Sequence, residues 1–292
     1  MADNGTRLAV LGMGTMGRAM AGSALRDGIP TVVWNLQPDA AAGMADQGAD
    51  VATSVAEAVK GASMVITMVT DAQAVISIAT ELGMLEALPP GAVWAQMSTI
   101  GVEGTETINS AVERQRPDVL FLDAPVSGSK VPAEQGKLII FASGSEQARP
   151  TVEPVFAAIG QRTVWLGEVG MGSRMKLVNN TLLAFAAEGV ANSLALARKL
   201  GVEVRSVRDA FEGGPLVSPW MAGKLARLEN DDYSPEFPLA LALKDVHLAL
   251  EQAGPERFTV LASLAHEWEQ IDKQGLGNQD VTVVTRSLES AD

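Results

Sequence analysis

The 292-residue chain contains no cysteine, which excludes disulfides, cysteine-ligated zinc, iron–sulfur clusters and thiol nucleophiles together. Its histidines are His247 and His266 alone. Two are too few for a multi-histidine site, so no metal is expected. The single tyrosine, Tyr233, is followed four residues later by Phe237, so a Tyr-x-x-x-Lys acid/base pair is missing. Basic residues are also scarce: 22 Lys and Arg stand against 35 Asp and Glu, a net charge of −13. Without a Lys/Arg block the electrostatic footprint of a nucleic-acid partner is absent. No apolar run approaches the ~18 residues that span a bilayer, so no membrane association is expected. The short polar start, Met1 to Arg7, makes the cytoplasm the expected compartment.

A hydrophobic content of 47% over this length allows a sizeable core, in one large or two ordinary domains. Strand-like apolar runs occur at Leu8–Leu11, Thr31–Trp34, Met64–Val69, Ala92–Met97, Val119–Leu122, Lys137–Ala142 and Thr163–Leu166. Helical stretches separate them. Such alternation predicts an α/β, Rossmann-type, doubly wound and mostly parallel sheet over residues 1–167, with strands apolar on both faces. Helical periodicity dominates after Gly167, so residues 168–292 are expected to form an all-helical domain. A long helix capped by Ser173 and ending before Gly201 would cover about 27 residues, ~40 Å, and join the two. Further helices are expected near Val204–Phe211, Ser218–Leu228, Pro238–Gln252 and Thr259–Lys273.

The first strand runs into Gly12-Met13-Gly14-Thr15-Met16-Gly17 and then a helix. In such a G-x-G-x-x-G the first glycine makes the turn, the second admits a pyrophosphate and the third lets helix and strand approach. The helix amino end then faces the phosphates. About 20 residues on, an Asp would favour NAD and a following Arg would favour NADP. Asn35-Leu36-Gln37 supplies neither charge. NAD or NADP both remain open.

Hydride exchange at a nicotinamide also needs a proton donor. The residues left for it lie in Gly170-x-Gly172-Ser173-Arg174-Met175-Lys176, with Asn180 one turn further along the same helix face. If Ser173 caps the helix, Lys176 sits in its first turn, where the dipole and partial burial favour an acid/base role. A second loop, Asp123-Ala-Pro-Val-Ser127-Gly128-Ser129, follows a strand. Because ligands collect at the carboxyl ends of such strands, Ser127 and the amides of Gly128 and Ser129 are candidates for a substrate carboxylate.

Taken in order, Gly12–Gly17, Met97-Ser-Thr99-Ile100, Asp123–Gly128, Gly170–Lys176 with Asn180, and Lys244-Asp245 resemble the β-hydroxyacid dehydrogenase family of 3-hydroxyisobutyrate dehydrogenase-like enzymes. The resemblance spans essentially the whole chain. It implies hydride transfer between NAD(P) and a small β-hydroxy acid or its semialdehyde. It further implies that Lys176 is the general acid/base, that Asn180 orients substrate, and that Ser127 and Gly128 bind its carboxylate. Lys244 would lie near the nicotinamide, with Thr99 also beside that ring, and Val69 and Thr70 would line the adenosine side. Three departures stand out: Ser129 replaces a second glycine, Asn278 replaces an acid, and Leu36 replaces the arginine of NADP-using relatives. Imine reductases share the fold but mostly carry Asp or Tyr where Lys176 stands. An imine reductase-like NADPH enzyme and a catalytically silent nucleotide-binding regulator are the alternatives. Trp220, Met221, Phe237 and Leu241 are candidate pocket-lining residues. Apolar positions on several faces of the long helix predict a homodimer or homotetramer, its active site closed at the domain junction.

Overall fold

The computed structural model describes residues 5–289. They form two compact units, one ending at Lys176 and the next beginning at Leu177. That division falls within the long helix Met171–Lys199, after the change of texture at Gly167.

The first unit is built on nine strands: β1 Leu8–Leu11, β2 Thr31–Trp34, β3 Asp50–Val51, β4 Met64–Thr67, β5 Val93–Gln96, β6 Leu120–Asp123, β7 Val126–Ser127, β8 Leu138–Gly144 and β9 Gly160–Trp165. Their order is β3-β2-β1-β4-β5-β6-β8-β7, with β9 against β8. From β3 to β6 all pairings are parallel, whereas β8 runs antiparallel to β6 and β7. The expected runs all fall on strands. Alternate residues enter opposite cores: Leu8, Val10, Val33 and Ile66 pack on one face, and Ala9, Leu11, Val32, Val65 and Trp94 on the other. A two-residue period on strands covered on both faces makes both residue sets apolar. The two-residue strands β3 and β7 were not expected, because they are too short to show a period and owe their pairing to β2 and β8.

The second unit is helical after the long helix: Val204–Phe211, Pro219–Leu228, Leu239–Ala253, Thr259–Ile271 and Val284–Glu289. Ser218 caps its helix by accepting from the Met221 N–H, as its position before Pro219 anticipates. Trp268, Ile271, Val281, Val283 and Val284 are core residues. On the long helix Leu177, Val190 and Leu194 are buried, while Val178, Leu182 and Leu196 are exposed. No helix among the described residues is long and apolar enough to cross a membrane.

Candidate active site

Parallel strands β1, β4, β5 and β6 are neighbours, so their carboxyl ends lie along one edge. The segments leaving that edge are Gly12–Gly17, Met68–Thr70, Met97–Thr99 and Ala124–Gly128. Gly12 has φ +107° and a Cβ there would collide with the Met68 carbonyl, while a Cβ on Gly17 would strike the Gly12 carbonyl. Both positions therefore require glycine. Gly14 differs, because a Cβ on it would meet nothing within 4 Å. It opens the Thr15–Arg26 helix without contributing a side-chain cap, so the first-turn amides are presented to whatever occupies that space. This is the cradle a pyrophosphate fits. Met13, Gly14, Thr15, Arg18 and Lys130 are among the residues bordering a groove of about 510 Å³ beside it. A second hollow, of about 700 Å³ near Leu88, Pro90 and Arg116, lies where β5 and β6 begin. The first is at the edge where open parallel sheets bind ligands.

Asn35 is half-buried at the end of β2. Its Oδ1 accepts the Met13 N–H at 2.8 Å and its Nδ2 donates to the Gln37 carbonyl at 3.0 Å, so the amide braces the glycine loop. Leu36 beside it is 74% exposed. Val69 is half-buried and donates its N–H to Ser98 Oγ at 2.8 Å, tying the β4 loop to the loop that carries half-buried Thr99. Thr70 is exposed. Ser98 had no expected role, and only its place in a quoted motif hinted at one.

Ser127 and Ser129 are half-buried and Gly128 is exposed. Ser129 opens the short Lys130–Glu134 helix without a side-chain cap bond. Asp123, the last residue of β6, is fully buried. Its Oδ2 accepts the Ser173 N–H at 2.7 Å and its Oδ1 accepts the Ser173 hydroxyl at 2.8 Å. Ser143 donates to Asp123 and accepts the Gly172 N–H at 2.9 Å. Burial pushes the Asp123 carboxyl above its ordinary range, against the Ser173 and Ser143 hydrogen bonds that hold it down. A Cβ on Gly172 would lie 2.6 Å from the Asp123 carbonyl, so the close approach of helix and strand needs glycine there. The signal for Asp123 was a charge ending an otherwise apolar strand.

These contacts correct the expected helix start. The helix begins at Met171, and Ser173 is its third residue rather than its cap. The Ser173 hydroxyl is turned to Asp123 and Thr105 instead of to its own helix amides. Half-buried Lys176 thus lies in the second turn. Dipole effects fall off within the first turn, so the helix end contributes less there than expected.

In the second unit, buried Asn180 donates to Asp245 Oδ2 at 2.5 Å and accepts from Asn179 at 2.8 Å. Lys244 Nζ lies 2.8 Å from Asp245 Oδ1. Asn180, Asp245 and Lys244 therefore form one connected polar group. Trp220, Met221 and Phe237 are half-buried and Leu241 is exposed, so none of the four is core.

Residues 7–167 match the family model described as the NAD binding domain of 6-phosphogluconate dehydrogenase. Residues 170–288 match that of the NAD-binding region of NADP-dependent 3-hydroxyisobutyrate dehydrogenase. The chain belongs to the β-hydroxyacid dehydrogenase family. As a β-hydroxyacid dehydrogenase it is an NAD(P)-dependent oxidoreductase of CH–OH groups. It is 33% identical to glyoxylate/succinic semialdehyde reductase 1 of Arabidopsis thaliana, over 95% of this chain and 96% of the relative. It is 32% identical to an NAD-dependent L-serine dehydrogenase of Pseudomonas aeruginosa, over 96% and 97%. Among solved structures, 3-hydroxyisobutyrate dehydrogenase of Salmonella typhimurium superposes with a TM-score of 0.88 at 26% identity, covering 97% of this chain and 99% of that one.

Proposed function

We propose that the chain interconverts a small β-hydroxy acid and its semialdehyde, with Lys176 as the general acid/base. The observation that carries this reading is the single edge at which the phosphate cradle, the Ser127–Gly128 loop and the anchored start of the Lys176 helix gather. A bound NAD(P) would supply the hydride-transfer chemistry for the carbinol carbon. The Ser127 hydroxyl and the Gly128 amide hold the substrate carboxylate, which fixes which carbon is presented. In reduction Lys176 delivers a proton to the carbonyl oxygen, and in oxidation it removes one from the hydroxyl. Asn180, one helical turn on, and Lys244 keep the substrate oriented. Thr99 is carried on the loop that leaves the end of β5 at this same edge. Gly12 to Gly17, Asn35, Val69 and Thr70 hold the nucleotide.

The test is a panel of glyoxylate, succinic semialdehyde, 3-hydroxyisobutyrate and L-serine with both cofactors, on the wild type and Lys176→Ala. Turnover of at least one compound, lost by about a thousandfold or more in the variant with cofactor binding retained, supports the reading. Cofactor binding without turnover across the panel would instead indicate a silent nucleotide-binding protein.

A further inference from the structure

We infer that Asp123 is a positioning residue whose buried carboxylate sets the place of the Lys176 ammonium relative to the Ser127–Gly128 loop. This rests on the reading of Lys176 given above. Asp123 is the junction of two segments. Four residues after it in the chain comes Ser127, and through space it holds Ser173 by both backbone N–H and hydroxyl. Ser173 and Lys176 are spaced i, i+3, neighbours on one helix surface. Fixing the first therefore fixes the rotation and advance of the helix at the second.

The anchor is stiffer than one hydrogen bond. Ser143 on β8 bridges Asp123 and the Gly172 N–H, Thr105 lies 2.8 Å from the Ser173 hydroxyl, and Gly172 lets the helix start press on the Asp123 carbonyl. Strand β6, strand β8 and the Gly101–Gln115 helix thus converge on two residues of the long helix. An anionic acceptor at a helix start is also favoured by the partial positive charge of the unpaired amides. A buried carboxylate is an expensive device for mere cohesion, because an apolar contact of the same volume is often as stabilising. What the carboxylate adds is direction, since both oxygens are used and each has a defined donor.

Geometry of this kind acts on the chemical step, and a misplacement of about 1 Å can cost on the order of a hundredfold. Asp123→Asn keeps the shape but turns one acceptor into a donor facing the Ser173 N–H or hydroxyl. Ser173→Ala is the milder variant, since it keeps the carboxylate and the backbone N–H bond.

The experiment is a double-mutant cycle on kcat among wild type, Asp123→Asn, Lys176→Ala and the double variant. Single turnover at high enzyme concentration is followed with whichever panel compound reacts fastest. NAD(P) affinity is measured by calorimetry, and folding is checked by thermal melting. Expected is a loss of about tenfold to a hundredfold in kcat for Asp123→Asn, with cofactor Kd changed by less than about twofold. In the Lys176→Ala background the same substitution should cost no more than about a further twofold, because a residue acting through the lysine has nothing left to position. Ser173→Ala should lose about threefold to tenfold and show the same non-additivity, and it decides the matter if Asp123→Asn does not fold. Equal costs in both backgrounds, or an unchanged kcat, overturn the inference while leaving Lys176 in place. A fully active Lys176→Ala overturns the reading of the lysine and the inference with it.

Discussion

Lys224 is 2% exposed, and its Nζ lies 2.8 and 3.0 Å from the two oxygens of fully buried Asp280. Asp280 also accepts the N–H groups of Glu236 and Phe237 at 3.0 and 3.2 Å and the Thr282 hydroxyl at 3.0 Å. It thereby pins the segment that leads into the helix carrying Lys244 and Asp245. Asp280→Asn preserves volume but removes the charge. Whichever way the amide turns, its NH2 group faces a donor that previously had an acceptor. Leaving one member of a buried pair unmatched costs about 3–5 kcal/mol, and an unsatisfied donor about 1–3. Glu236 remains 2.8 Å from Lys224 on a side chain 30% exposed, which retains part of the pairing. The expected cost is therefore about 2–4 kcal/mol. Urea unfolding followed by tryptophan fluorescence should show a lower midpoint with unchanged slope. Lys224→Met combined with Asp280→Asn should cost less than the sum of the two by about 1–3 kcal/mol. Burial favours the neutral acid, but Lys224 and the Phe237 and Glu236 amides hold the Asp280 carboxyl below its ordinary value. Its contribution is therefore complete above the unfolded carboxyl's pKa of about 3.9 and is lost as pH falls through the lower folded value. The gap between wild type and variant should be flat near neutrality and close in acid. A cost under about 1 kcal/mol at pH 7, the size of an exposed pair, would refute the argument.

Cofactor preference should be weak, below about a hundredfold or roughly 3 kcal/mol, because Asn35 and Leu36 carry no charge. Leu36→Arg should shift relative Kd toward NADP by about tenfold in calorimetric titrations, and no shift would mean that this residue lies away from the 2′-phosphate. Glu188 is held above the ordinary carboxyl range by burial and by the nearby Glu267, against its bonds to Trp268 and Asn192. Its ionised form therefore weakens the native state as pH rises, so Glu188→Gln should raise the melting temperature at pH 7. That gain should vanish below about pH 4.3, which melting curves across pH will read. Exposed Leu182, Phe185 and Leu196 on the long helix lead us to expect at least a homodimer. A fully active monomer in sedimentation velocity at micromolar concentration would contradict this.

Local chemistry was readable from residues 8–17 alone: four apolar residues, then glycines whose spacing admits one kind of turn, then a helix. The same held for the longer parallel strands, since burial on both faces forces an unbroken apolar run. Two-residue strands were not readable, because β3 and β7 exist only through partners distant in the chain. The start of the long helix was misplaced for the same kind of reason. A serine before a helical run reads as a cap, but Asp123, fifty residues earlier, offers Ser173 a buried carboxylate and draws its hydroxyl away. The residue pattern pointed to Lys176 and Asn180, and the family resemblance added Lys244. It took the fold to join Asn180 and Lys244 through Asp245 and to tie the Lys176 helix through Asp123 to the end of β6, from which the Ser127 segment departs. Side-chain hydrogen bonds between residues far apart leave no periodic trace; only the folded backbone brings donor and acceptor within 3 Å.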